Sequence, residues 1–208
     1  MFIRDSLKID KNILYRDNPS LTDEILKELK TLITRREKGE PLAYIINKIG
    51  FWNLSLYVDH NVLVPRPETE TLVGVVLGIF DSKKRKILDL GTGSGAIGLS
   101  LAKERANWEV VCSDLSYEAL KVTSKNMNQN SLNLHLVNSN WLTAFKNEYF
   151  DVIISNPPYI DPSDPRVFSD GLKYEPIEAL VSDSAGLQDI EYIVKAVSYT
   201  HLTLPTSV

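Results

Sequence analysis

The chain has 208 residues, of which 43% are hydrophobic, and a formal net charge of −4. That length and apolar content suit one domain with a small accessory segment and exclude a disordered chain. The charge balance offers no broad basic surface for nucleic acid. Positive charge gathers only at Arg35, Arg36 and Lys38 and again from Lys83 to Lys86, where it reads as solvated helix ends and loops. Cys112 is the only cysteine and lies in an apolar run, so it is expected to be a buried structural thiol. His60, His135 and His201 are isolated, no zinc-ligand spacing appears, and no metal site is predicted. Arg4, Asp5 and Lys8 break any signal-peptide core at the start, and no apolar run reaches membrane-spanning length. The expected location is the cytoplasm.

The first clear element begins near Ser20, with Asp23 and Glu24 in its first turn. Ile25, Leu26, Leu29, Leu32 and Ile33 recur at helical spacing, and Gly39 and Pro41 end the helix. Residues 42–58 mix β-branched and aromatic residues around Gly50, which predicts a strand pair. The segment Val64-Pro65-Arg66-Pro67-Glu68-Thr69-Glu70 is a stiff, extended lead into a helix, with Pro67 at its first position. A βα alternation follows. Strands are predicted at Lys86–Leu90, Glu109–Ser113, Leu134–Val137 and Phe150–Ser155. Helices are predicted at Ala96–Glu104 and after Ser116, the latter with Ala119, Leu120, Thr123 and Met127 on one face. Strands apolar on both faces, alternating with helices, indicate a parallel sheet covered on both sides, with ligands beyond the carboxyl ends of its strands. The predicted organisation is an N-terminal helical segment and hairpin over residues 1–60, a Rossmann-like α/β domain over 61–197, and a tail over 198–208.

Three features carry chemistry. The loop Asp89-Leu90-Gly91-Thr92-Gly93-Ser94-Gly95 sits between a strand and a helix, where glycines admit close approach and the helix N-terminus favours an anionic group. Gly93, Gly95 and Gly98 also satisfy G-x-G-x-x-G. Asp114, at the end of the second strand, is placed to accept from both hydroxyls of an adenosine ribose, or else to cap the next helix. Together these indicate an adenosine-containing cofactor without choosing between a nicotinamide and S-adenosylmethionine. Asn156-Pro157-Pro158-Tyr159 makes the choice. Its prolines remove donors and stiffen the loop, leaving the Asn156 side-chain oxygen and the Pro157 carbonyl as acceptors. Acceptors that bind both hydrogens of a planar amide orient its nitrogen for methyl transfer by positioning alone, and Tyr159 offers a flat surface beside it.

At these residues the chain resembles the class I S-adenosylmethionine-dependent methyltransferases that act on exocyclic or amide nitrogens. Thr34 to Pro41, Phe51-Trp52, Val64 to Glu70, the run through Ile160, and Tyr174-Glu175-Pro176 narrow the resemblance to the glutamine methyltransferases of peptide chain release factors, the HemK/PrmC family. The resemblance spans about Leu21 to Val197. It implies methylation of the glutamine in the Gly-Gly-Gln loop of a class-1 release factor, with no metal, membrane or nucleic-acid partner. It implies that Asp89, Gly91, Thr92, Gly93, Ser94 and Gly95 bind the cofactor, with Asp114 on the ribose and Trp141 near the adenine. Asn156 contacts cofactor and substrate, Pro157, Pro158 and Tyr159 frame the glutamine, and Asn156, Pro157 and Tyr159 are the catalytic set. Asn140 departs from the family, which often carries Asp there, so no adenine contact is assigned to it.

The ends also depart. The N-terminal helical segment is shorter than the family's, and the family continues past Val197 with further strands, so a C-terminally truncated sheet is expected. Ser198 to Thr206 fits no family pattern and reads as translated adapter sequence, with a genuine fifth strand as the alternative. If the chain stops there, the fourth strand becomes a sheet edge and the product is expected to be marginally stable. Three rival functions share parts of this pattern. A methyltransferase acting on adenine or guanine amino groups shares the Asn156–Tyr159 motif but calls for a basic face. A nicotinamide oxidoreductase gives that motif no role, and a non-catalytic binding module gives none to the glycine loop.

Overall fold

The computed structural model describes residues 22–169 and 171–201. Thr22 caps the first helix, α1 (Asp23–Glu37), by accepting the Ile25 N–H; acidic residues open the helix and Arg35 and Arg36 close it. None of its residues is fully buried, and Leu26 and Ile33 stay exposed among the described residues. Gly39 then reverses the chain at φ 90.

The expected strand pair over 42–58 is corrected in its first part. Leu42–Ile46 is a short helix, α2, and only β1 (Ile49–Phe51) and β2 (Leu54–Leu56) form the antiparallel hairpin. The β-branched signal there was overridden by packing: Pro41 presets the start, and one helical turn buries Ala43, Tyr44 and Ile45 together. The hairpin turns at Trp52, whose φ is 51. Its Phe51, Leu54 and Leu56 enter the same core as Val73, Val76, Leu99 and Leu101. Polar ties hold it there. Glu70 accepts the Trp52 backbone N–H at 2.7 Å, and Glu104 accepts the Trp52 indole N–H at 2.8 Å.

Pro67–Thr69 forms a 3-10 turn that runs into α3 (Glu70–Ile79). The sheet follows, with β3 (Lys86–Leu90), β4 (Glu109–Asp114), β5 (His135–Asn138) and β6 (Val152–Ser155) in the order β5-β4-β3-β6, all parallel. Helices α4 (Ala96–Glu104) and α5 (Tyr117–Gln129) connect them. Ile87 to Leu90 are each at most 1% exposed, so the central strand is covered on both faces. Ile87 and Cys112 face one cluster with α3 and α4, while Leu88, Leu90 and Val111 face another with Phe150. Cys112 is a buried free thiol, as expected, and burial pushes it well above the usual thiol range.

After β6 the chain winds through short turns to α6 (Asp183–Gly186), whose Ser184 and Ala185 have left-handed φ of 57 and 58, and α7 (Gln188–His201). Ser198 to His201 thus close a helix and are not part of a strand; the rest of the predicted tail, 202–208, and the first 21 residues lie outside the described residues. Among the described residues no helix is long and apolar enough to cross a membrane.

Candidate functional site

The glycine loop is shaped from below. Asp89 is fully buried, and one of its oxygens accepts the Thr92 hydroxyl at 2.5 Å and the Gly98 N–H at 2.9 Å. Its other oxygen has no partner among the described residues. Burial raises its pKa to about 6 against the opposing pull of those two hydrogen bonds. A Cβ at Gly98 would lie 2.4 Å from the Cys112 sulfur and 3.1 Å from Asp89, so only glycine lets α4 approach the strands this closely. Gly95 begins α4 at φ 83, and a Cβ there would lie 2.8 Å from both Leu99 and Thr123.

α5 grips the loop from the side. Thr123 donates to the Gly93 carbonyl at 2.8 Å. The fully buried Asn126 donates to the Ser94 carbonyl at 2.9 Å. The same amide donates to the Tyr57 carbonyl at 2.9 Å and accepts the Tyr57 N–H at 2.6 Å, replacing a missing strand neighbour. Sequence reading missed Asn126. Its signal was a polar residue at the seventh step of a face that begins with the buried Ala119, Val122 and Thr123.

Asp114 ends β4 beside the glycine loop, and the cap of α5 falls to Ser116 instead. Asp114 accepts the Gly93 N–H at 2.8 Å and the Ser116 N–H at 2.9 Å. Burial pushes its pKa up, opposed by these backbone bonds. Ser116 in turn caps α5 through the Ala119 N–H. Above this floor opens a cleft of about 680 Å³, well suited in size to a nucleoside-containing ligand. Gly91, Thr92, Gly93, Ser94, Asp114, Trp141, Asn156, Pro157 and Pro158 all line it. Asp89 and Gly95 do not; they support the loop from behind. Ala96 and Ile97, the first two residues of α4, line this cleft, and their N–H groups have no partner among the described residues. The Trp141 ring lies 3.4 Å from where a Cβ at Gly91 would stand, and its indole N–H donates to Asp189 at 3.0 Å. Asp189, Glu118 and Glu178 complete an acidic rim that suits a cationic ligand. The role of Asp189 was invisible in sequence because it comes from the first turn of α7, held by the Ser182 hydroxyl.

A second chamber, about 540 Å³, adjoins the first. Asn156, Pro157, Leu63, Arg66 and Ala179 line both. Tyr159, 62% exposed, lines only the second, together with Arg36, Gly39, Pro41 and Glu175. The Asn156–Tyr159 loop is held by backbone alone: the Tyr159 and Ile160 N–H groups donate to the Leu180 carbonyl, and Ser182 N–H donates to the Ile160 carbonyl. Gly186, at φ 83, passes so near that a Cβ would strike the Tyr159 carbonyl. The Asn156 side chain has no hydrogen-bond partner among the described residues and stands free at the junction. The family stretches noted in sequence, Phe51-Trp52 apart, meet around this chamber. Arg36 donates to the Glu40 carbonyl, the Tyr174 hydroxyl donates to the Lys38 carbonyl at 2.9 Å, and Arg66 pairs with Glu175 at 2.6 Å. Among the described residues no group of three or more His, Cys, Asp or Glu is arranged to hold a metal ion.

Comparison with known proteins agrees with this layout. The family profile described as "Methyltransferase small domain" matches residues 70–169, and that of the "PrmC N-terminal domain" matches residues 1–46. The release factor glutamine methyltransferase of Francisella tularensis is 44% identical over 93% of this chain and 70% of its own length. That of Buchnera aphidicola from Schizaphis graminum is 43% identical over 89% and 68%. That of Escherichia coli K12 is 40% identical over 88% of this chain, which spans 66% of that relative's length. Among solved structures, the hMettl16 catalytic domain, in complex with a MAT2A 3'UTR hairpin, aligns with a TM-score of 0.55 at 19% identity. That alignment covers 85% of this chain and 62% of the other, and it shows a shared methyltransferase fold.

Proposed function

We infer the activity from one premise: the chain belongs to the family of release factor glutamine methyltransferases. It transfers a methyl group from S-adenosylmethionine to the side-chain amide nitrogen of the glutamine in the Gly-Gly-Gln loop of a class-1 release factor. The observation that carries this reading is the pair of chambers joined at Asn156 and Pro157. One chamber has the glycine floor and acidic rim for a cationic nucleoside, and the other is open to a peptide.

The fit of the cofactor rests on the chain's own groups. A Cβ at Gly93 would meet nothing within 4 Å, so the loop surface is an open cradle. The free N–H groups of Ala96 and Ile97 suit the carboxylate of a methionine moiety. Asp114 retains lone pairs for the ribose hydroxyls, and Trp141 gives a flat wall for the adenine. Bound there, the cofactor supplies an electrophilic methyl group on a sulfonium. Asn156 and the Pro157 carbonyl accept the two hydrogens of the substrate amide, which fixes the nitrogen and lessens delocalisation of its lone pair. Tyr159 and Pro158 flank the amide plane. As the new nitrogen–carbon bond forms, the surplus amide proton passes to water, so no dedicated base is required.

The test offers labelled S-adenosylmethionine and a purified class-1 release factor to the protein. The control is the same factor with the Gly-Gly-Gln glutamine replaced. Label on the first and none on the control is expected. Label on neither, from a folded protein that binds the cofactor, overturns the substrate and keeps the methyltransferase. Label on duplex DNA or RNA instead of the factor would favour the base-directed alternative, for which nothing in this site speaks.

A further inference from the structure

Among the described residues, Arg66 is the only charged one that lines both chambers. Its partner Glu175 is buried, with a side chain only 2% exposed. Both Glu175 oxygens are occupied: one accepts from the Arg66 Nη2 at 2.6 Å, the other from the Val64 N–H at 3.0 Å. The guanidinium is therefore anchored at Nη2, and the side chain is still 35% exposed. Its Nε and Nη1 donors have no partner among the described residues. A lone cation here would repel a sulfonium across the junction, but the buried carboxylate cancels that charge. What remains is a planar, rigid set of donors with little net field, which matches neutral carbonyl oxygens better than anions.

Building on the function proposed above, we propose that Arg66, oriented and neutralised by Glu175, is a substrate-positioning residue that donates to main-chain carbonyl oxygens of the peptide beside the methylated glutamine. Contacts to a non-reacting part of the substrate act on binding more than on the chemical step. Arg66→Gln should raise KM for the release factor about tenfold while kcat changes less than about threefold. Glu175→Gln leaves the cation uncompensated. It should weaken binding of S-adenosylmethionine, a sulfonium, on the order of tenfold relative to S-adenosylhomocysteine, its neutral thioether.

The experiment measures steady-state kinetics with intact release factor, and the dissociation constants of both nucleosides, for the full chain and three variants: Arg66→Gln, Glu175→Gln and the double substitution. The double variant is neutral again, so its nucleoside ratio should return to that of the unmodified protein while KM stays high. A purely structural role would leave the ratio unmoved in Glu175→Gln and would overturn the proposal. So would a kcat loss at constant KM in Arg66→Gln, or weakened binding of both nucleosides alike, which would assign Arg66 to the cofactor. If the unmodified protein binds cofactor but does not methylate release factor, the function itself fails, and the nucleoside ratio still tests the charge compensation.

Discussion

The two chambers are built by different means. The cofactor cleft takes its floor from one short stretch, between Leu90 and Ile97, and its side from Asp114, at the ends of two strands that are direct neighbours. Local backbone geometry does most of the work there. The adjoining chamber is assembled from distant segments, with Lys38 tied to Tyr174 and Val64 and Arg66 tied to Glu175. Perturbing the first should alter cofactor affinity and stability together; perturbing the second without changing its charge should alter recognition of the protein substrate and spare the cofactor.

The largest effect is expected where the chambers meet. On the proposed function, Asn156→Ala removes an acceptor for the reacting amide, and kcat should fall on the order of 10²–10³-fold. The dissociation constant for S-adenosylhomocysteine, read by calorimetry, should shift far less. An equal loss in both would mean that Asn156 serves only the cofactor.

Next comes the tie between hairpin and glycine loop. Asn126→Ala leaves the Tyr57 N–H and two carbonyls without their partner. Stability should drop by about 2–3 kcal/mol in urea unfolding, because buried backbone groups are left unsatisfied. Cofactor binding should weaken with it, since the same amide holds Ser94. Unchanged cofactor affinity would separate the loop from its α5 support.

Asp89 sharpens the comparison through pH. Its pKa is raised to about 6 in the folded chain, from 3.8, by burial. A carboxyl with a raised folded pKa contributes stability that is fully present below its unfolded value and is lost as pH rises through the folded value. Between pH 5 and pH 7 this group should therefore remove about 1 kcal/mol of stability. Asp89→Asn should flatten that part of the pH profile. A slope that survives the substitution would assign it to other groups.

The smallest effect belongs to a tie beside the second chamber. Tyr174→Phe deletes a single bond to the Lys38 carbonyl and should lower stability by about 0.5–1 kcal/mol. KM for the release factor should rise a few-fold while cofactor binding holds. A change in cofactor affinity would show that the two chambers are not separable.

Much of the first chamber was legible in the chain. Lys86–Leu90 and Ala96–Glu104 have the predicted bounds, because a buried parallel strand and an amphipathic helix leave strong local patterns. The Asn156–Tyr159 loop and Asp114 stand at one sheet edge, as parallel topology requires. The miss at Leu42–Ile46 has a physical reason: five residues give too short a period, and β-branched content pointed to strand while burial of one helical turn decided otherwise. The role of Asp89 in the site was also read too directly. Position in the loop placed it near the cofactor, yet alternation along β3 turns its side chain beneath the loop, toward Gly98 and Cys112.

From sequence alone came the parallel α/β sheet, the glycine loop, the Asn156–Tyr159 motif and the kind of reaction they serve, since each depends on neighbours a few residues apart. Only the tertiary structure could decide that Asn126 joins Tyr57 to Ser94, that Asp189 meets Trp141, and that Glu175 meets Arg66. Those pairings span long stretches of chain. Nothing in local propensity records which distant backbone group a buried amide or carboxylate will satisfy; packing of the whole sheet and its helices brings the partners within hydrogen-bond reach.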